Sequence, residues 1–258
     1  MPTIPPQKPD QTTDRPKVRL YLEQPLAQGQ HIAVSQEHAH YLGTVLRMRP
    51  GQMIAAFNGT QGEWRAEIED LGKKRGRLLV RDQSLPQRDP PDLWLLFAPI
   101  KKARTDFIVE KAVELGVRRI QPVQTQFTNS ERIRRDRLQA HAIEAAEQCG
   151  GTHVAEVAEL APLARLLADW PAGRTLWWAD EGLAADAQPE HDDTARQATD
   201  KAAILIGPEG GFSAPERARI AALPFVRALR LGPRILRADT AAVSAITLWQ
   251  SRFGDWQE

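Results

Sequence analysis

Apolar positions along the chain follow two rhythms, one in each half. Between Val18 and Arg81 they come as short strand-like runs, the first of them alternating: Val18–Leu22, His31–Val34, Gln52–Phe57, Glu63–Glu69 and Arg77–Arg81. Alternation with a period of two predicts half-buried strands. One helical pattern interrupts them over Gln36–Arg47, with Ala39, Leu42, Val45 and Leu46 on one face and Ser35 as its N-cap. Asn58-Gly59-Thr60 marks a turn. So many short strands in so little chain predict a small β-barrel or curled sheet.

After a Pro- and Asp-containing linker, Gln83–Pro91, the rhythm changes. Leu93–Ala98 is an apolar run of the kind found in buried strands. A helix is predicted from Thr105 to Leu115, closed by Gly116. Its Phe107, Ile108, Val113 and Leu115 are assigned to the core, and Lys111 and Glu114 to solvent. Arg119–Val123 is the next strand, Arg132–Cys149 and Leu160–Ala168 are helical, and Thr175–Ala179 is a strand. Asp180–Asp200, rich in Ala, Asp and Gln, reads as an acidic loop. This strand–helix–strand order predicts a parallel sheet.

The last quarter holds two similar segments. Ala203–Ile206 runs into Gly207-Pro208-Glu209-Gly210-Gly211-Phe212-Ser213, and Leu229-Arg230-Leu231 runs into Gly232-Pro233-Arg234-Ile235-Leu236-Arg237-Ala238-Asp239-Thr240. Each apolar run stops at Gly-Pro, where proline removes an N–H and restricts its predecessor. A helical pattern follows each time, the second over Asp239–Trp249. Two such turns belong at the C-terminal edge of a parallel sheet, where ligands of open α/β sheets bind. The glycines let backbone approach a ligand closely. The chain has neither G-x-G-x-x-G nor G-x-x-x-x-G-K-[ST], which argues against a nucleotide hydrolase.

Composition narrows the picture. A chain of 258 residues with 42% hydrophobic content can form one large domain or two ordinary ones. No apolar run approaches the roughly 20 residues of a membrane span. Residues 1–16 lack the apolar stretch of a secretory signal and read as a disordered tail. The single cysteine, Cys149, excludes a disulfide framework, suits the cytoplasm and is assigned to packing. His38 and His40 lack a third ligand partner, so no metal is expected.

The net charge of +1 conceals an asymmetry. Lys17–Arg88 carries 11 basic and 7 acidic residues, Asp89–Ala140 carries 10 and 7, and His141–Ala203 carries 4 and 12. A basic first half suits one cationic face turned to a polyanion. Arg47, Arg49, Lys73, Lys74 and Arg75 are its candidate phosphate contacts; the alternative is a solvated strand edge.

GPEGGFS followed by LGPRILRADTAA resembles the signature of the SPOUT methyltransferases, and within them the RsmE family. Three further stretches are similar to that family: His38-x-His40-Tyr41-Leu42 leading to Val45–Arg49, the pattern around Phe107–Val117, and Glu147-Gln148-Cys149-Gly150. The resemblance implies an α/β fold with a C-terminal trefoil-knot domain on a parallel sheet and a small N-terminal PUA-like β-barrel. The expected division is a tail at 1–16, the RNA-binding barrel at 17–85 and the methyltransferase domain at 86–258. It also implies a homodimer and S-adenosylmethionine as cofactor. The cofactor residues it implies are Trp178, Ile206, Gly207, Pro208, Glu209, Gly210, Gly211, Leu231, Gly232, Ile235, Leu236 and Thr240.

The activity so implied is methylation of N3 of a uridine near the 3′ end of 16S ribosomal RNA, on the small ribosomal subunit. Arg237 is the candidate for stabilising charge on the uracil oxygens. Asp239 is either a general base or a helix cap and loop anchor. It stands where the family carries Glu, one methylene longer. Two other readings stay open: a SPOUT enzyme acting on a ribose 2′-hydroxyl, and a noncatalytic RNA-binding assembly factor.

Overall fold

The computed structural model describes residues 16–129, 133–180, 182 and 201–257. The tail expected at 1–16, apart from Pro16, and most of the acidic stretch Asp180–Asp200 lie outside the described residues. The chain divides into two units, Met1–Arg88 and Asp89–Glu258.

In the first unit the alternating runs become β1 (Arg19–Tyr21), β2 (His31–Val34), β3 (Met53–Phe57), β4 (Glu63–Leu71) and β5 (Gly76–Leu85). They form one sheet in the order β1-β3-β4-β5-β2, antiparallel except for β1 against β3. Among the described residues the two outer strands do not pair with each other, so the sheet is open. Its apolar face buries Leu20, Ile32, Ile54, Ile68 and Leu78. Glu63 is fully buried, and its carboxylate accepts from Arg19 Nε at 2.7 Å and Ser84 Oγ at 2.9 Å. Those contacts are what burial of a charge requires.

The helix expected over Gln36–Arg47 changes type midway. α1 (Gln36–His40) is capped as predicted, with Ser35 Oγ accepting from the His38 N–H at 3.1 Å. Tyr41–Val45 then winds as a π-helical turn, and Arg47 takes a left-handed φ of 55°. That region is uncommon for a residue with a β-carbon. Val45 and Leu46, assigned to the apolar face, are exposed. The wider turn rotates them away from Ala39 and Leu42, which stay buried.

In the second unit the chain runs β6 (Asp92–Phe97), α2 (Lys102–Glu114), β7 (Arg119–Gln124), α3 (Arg135–Cys149), β8 (Glu156–Val157), β9 (Ala161–Pro162), α4 (Leu163–Ala168) and β10 (Thr175–Ala179). β11 (Lys201–Ile206), α5 (Ala214–Ala221), β12 (Val226–Ala228) and α6 (Ala238–Phe253) complete it. The sheet is parallel throughout, in the order β12-β10-β11-β6-β7-β8, with β9 beside β7. Strands buried on both faces need continuous apolar sequence. β11 supplies it, with Ala202 through Ile206 all buried.

Three expectations are corrected here. Phe107 is 40% exposed and its ring lies beneath Lys111 Nζ at 5.6 Å. The buried stripe of α2 is Thr105, Ile108, Val109, Ala112 and Val113, a helical spacing that leaves position 107 outside. Cys149 is exposed, because it is the last residue of α3 before Gly150 turns left-handed at φ 81°. The strand expected at Leu229–Leu231 lies earlier, at Val226–Ala228. Leu229 donates one last ladder bond to Trp178 O at 2.9 Å before the chain leaves the sheet.

Opposite the C-terminal edge, Arg174 pins the sheet. It is 4% exposed, donates to Asp92 O and Ala202 O at 2.8 Å each, pairs with Asp92 Oδ2 at 2.7 Å and lies 3.8 Å from the Trp94 ring centroid. Truncation removes two donors from buried sheet carbonyls and leaves the Asp92 carboxylate with only Trp94 Nε1 among the described residues, so Arg174→Ala is expected to cost about 3 kcal/mol. Urea unfolding of the variant measures it, and a loss below about 1 kcal/mol contradicts this role.

Candidate active site

Both Gly-Pro segments end at the same cavity. β11 and β12 are not neighbours, since β10 lies between them, yet their exit loops converge at the C-terminal edge of the sheet. The cavity holds about 220 Å³. One wall is Ile206 to Glu209 with Gly211 and Phe212, the other is Leu231, Gly232 and Arg234 to Arg237. Ala179 and Asp180 from the end of β10, and Ala238 and Ala241 of α6, complete it.

Local sequence explains the first wall. Pro208 ends β11, and Gly211 N–H donates back to Pro208 O at 2.9 Å, which closes the turn. Ser213 then caps α5 in a reciprocal box: its Oγ accepts from the Glu216 N–H, while its own N–H donates to Glu216 Oε2 at 2.9 Å. Gly207 faces the ring of Phe212, and a β-carbon there would lie 2.8 Å from ring carbon Cε2. Phe212 is buried and meets Trp178 edge-on, with ring centroids 5.9 Å apart.

The second wall offers backbone N–H groups without partners. Among the described residues, no N–H from Arg230 to Arg237 donates a hydrogen bond within the chain. Free backbone groups beside apolar Leu231, Ile235 and Leu236 suit a flat heteroaromatic ligand, whose faces are apolar and whose edge is polar. Ile235 is 73% exposed. Arg237 occupies the N-cap position of α6, where a guanidinium, having only donors, cannot cap the helix N–H groups, and its exposed side chain has no ion-pair partner among the described residues.

The carboxylates around the cavity are engaged. Asp180 is almost fully buried and pairs with Arg217 at 2.7 Å. Glu209 Oε1 accepts from Arg104 Nη1 at 3.2 Å, and Asp239 Oδ2 lies 3.7 Å from Arg104 Nε. Arg104 of α2 thus joins the glycine-rich loop to the start of α6. No spacing in the sequence announces it, because its partners lie 105 and 135 positions away. Asp239 is not the cap: it sits at the second position of α6, where Oδ1 accepts from the Thr240 N–H at 2.9 Å.

Of the cofactor residues implied by the motifs, Ile206, Gly207, Pro208, Glu209, Gly211, Leu231, Gly232, Ile235 and Leu236 line the cavity. Trp178 stands behind Phe212, Gly210 faces Phe127 on the outer side of its loop, and the α6 wall is Ala238 and Ala241 rather than Thr240.

In the first unit, Arg47 and Arg49 follow the π-helical turn, and Lys73, Lys74 and Arg75 form the turn between β4 and β5. All five are exposed and have no ion-pair partner among the described residues. A β-carbon on Gly43, inside the π-helical turn, would touch Leu71 at the end of β4, just before the basic turn. Burial holds the His38 imidazole below the usual histidine range against the opposing charges of Glu37 and Glu23, so it adds little cation there. Among the described residues, no three His, Cys, Asp or Glu side chains are grouped to hold a metal ion, and no helix is long and apolar enough to cross a membrane.

A model of the RNA methyltransferase domain family matches residues 87–250, and one of the RNA methyltransferase PUA domain matches residues 34–80. The ribosomal RNA small subunit methyltransferase E of Rickettsia conorii is 29% identical over 88% of this chain and 93% of its own length. Its namesake in Buchnera aphidicola from Schizaphis graminum is 29% identical over 92% and 97%. Among solved structures, the Neisseria gonorrhoeae ribosomal RNA small subunit methyltransferase E bound to S-adenosylmethionine superimposes with a TM-score of 0.81, at 29% identity over 93% of this chain and 99% of that one. A Legionella pneumophila protein in complex with the same cofactor gives 0.80, at 29% identity over 92% and 98%. The parallel-sheet fold with an N-terminal PUA domain is borne out.

Proposed function

Because the chain belongs to the RNA methyltransferase family, we propose that it transfers a methyl group from S-adenosylmethionine to N3 of a uridine near the 3′ end of 16S ribosomal RNA. The observation that carries this reading is the one cavity into which both Gly-Pro loops fold, with two arginines at its rim, Arg234 and Arg237, that have no ion-pair partner among the described residues, Arg237 standing at the start of α6.

The residues fit the cofactor. The free N–H groups of Arg230–Arg237 can meet an adenine edge, Leu231, Ile235 and Leu236 can cover its faces, and Gly207 lets the loop that forms the opposite wall close against the Phe212 ring. When bound, S-adenosylmethionine supplies a methyl group already activated on a sulfonium, so the protein's contribution is position and field.

Arg237 offers its guanidinium to the uracil carbonyl oxygens, where negative charge gathers as N3 loses its proton. Asp239 anchors: it holds Arg104 and the Thr240 N–H, and Arg104 in turn fixes Glu209. The N3 proton passes to solvent, which the exposed rim admits. Asp239→Asn keeps the Thr240 contact, so activity should fall by no more than about tenfold. A loss approaching the 10²–10⁴ of general-base catalysis, seen in single-turnover rates, makes Asp239 the base instead.

The basic residues Arg47, Arg49, Lys73, Lys74 and Arg75 hold RNA phosphates in this account, and the target base leaves its stack to reach the cavity. A second chain completes the site as a homodimer, for which exposed Ile235 at the rim gives an apolar contact. The enzyme works in the cytoplasm on the small ribosomal subunit. Calorimetric titration with S-adenosylmethionine tests the cavity: saturable binding of one molecule per chain is expected, and no binding removes the reading.

A further inference from the structure

A second recess, of about 450 Å³, opens at the same edge of the sheet. Its lining includes apolar Leu163, Leu167 and Ile220, with Gln124, Gln126 and Arg219 at its polar side. Gln124, Gln126 and Arg219 are exposed, and none of their side chains has a hydrogen-bond or ion-pair partner among the described residues.

Phe127 stands between the two recesses. Gln126, next to it in the chain, lines the second. On its other side, a β-carbon built on Gly210 would lie 3.4 Å from Phe127 Cβ, while Glu209 and Gly211 on either side of Gly210 line the first cavity. The ring is 43% exposed although its loop is tied down. Gln126 N–H donates to Glu216 Oε1 at 2.8 Å, and Thr125 N–H to Thr128 Oγ1 at 2.9 Å. A fixed loop that keeps an aromatic ring in water, beside an apolar floor with an unpaired arginine, matches the way proteins hold single-stranded nucleic acid.

We propose that Phe127 is a stacking platform for a base adjacent to the methylated nucleotide, and that the second recess receives the neighbouring nucleotide with Arg219 toward its phosphate. This rests on the reading of the first cavity as an RNA methyltransferase site. A strand leaving that cavity over Gly210 meets the face of Phe127 next, and stacking is indifferent to which base arrives. Phe127 is therefore a positioning residue: it touches RNA but no reacting atom.

The test is steady-state methylation of small ribosomal subunits lacking the modification by the wild type, Phe127→Ala and Phe127→Trp. Phe127→Ala should raise KM for subunits about tenfold with kcat changed less than about threefold, and Phe127→Trp should return KM to within about twofold of wild type. Cofactor affinity by calorimetry should be the same in all three. An unchanged KM in Phe127→Ala overturns the proposal, as does a Phe127→Trp variant as impaired as Phe127→Ala. A change of molecular mass in light scattering makes Phe127 a contact between copies and overturns it too. A wild-type protein that methylates no subunit removes the underlying reading, and the platform with it.

Discussion

Arg237→Ala is expected to lower kcat by about 10²–10³, the scale of losing one preorganised donor to a developing anion. Cofactor affinity should stay within about twofold, because the side chain stands at the rim and the wall it borders is backbone. The structure sets this expectation in two ways. Every other charged group around the cavity except Arg234 is already committed: Asp180 to Arg217, and Glu209 and Asp239 to Arg104. Arg237 also stands at the start of α6, whose N-terminus adds a partial positive charge at the same place. Arg237→Lys keeps the charge and loses the planar fork, so it should recover only part of the rate. Single-turnover kinetics with calorimetry in parallel separates these effects. If cofactor binding falls with the rate, Arg237 belongs to the cofactor wall instead.

Gly207→Ala should weaken cofactor binding about ten- to a hundredfold while the protein stays folded. The added β-carbon would meet three Phe212 ring carbons at 2.8 to 3.2 Å. Phe212 cannot swing aside, being buried with Trp178 edge-on against it. The loop must move instead, and it is the loop that shapes the cavity wall. Overpacking of this size costs about 1–3 kcal/mol. A second substitution, Phe212→Leu, makes room and should recover part of the affinity. Calorimetry on the single and double variants checks both. Unaltered affinity in Gly207→Ala places the cofactor elsewhere.

What could be read from the sequence was local. Short apolar runs located the five strands of the first unit, and Ser35 announced its cap. The paired Gly-Pro segments pointed to the cavity, and nine of the residues named for it line it. The capping box at Ser213 and Glu216 is legible in the S-x-x-E spacing. The remainder depends on the third dimension. Arg104 meets Glu209 and Asp239 only because α2, the glycine-rich loop and α6 end at one edge of the sheet. Val45 and Leu46 looked like core under an α-helical period, which the π-helical turn breaks. Phe107 looked like core by composition alone, whereas the buried stripe of α2 excludes its angle.

The central claim is the identity of the methylated atom. Small ribosomal subunits lacking the modification should be incubated with the protein and methyl-labelled S-adenosylmethionine, then digested to nucleosides and separated. Label is expected in N3-methyluridine from 16S ribosomal RNA. Label in a 2′-O-methylated nucleoside, or no transfer by a protein that binds the cofactor, contradicts it.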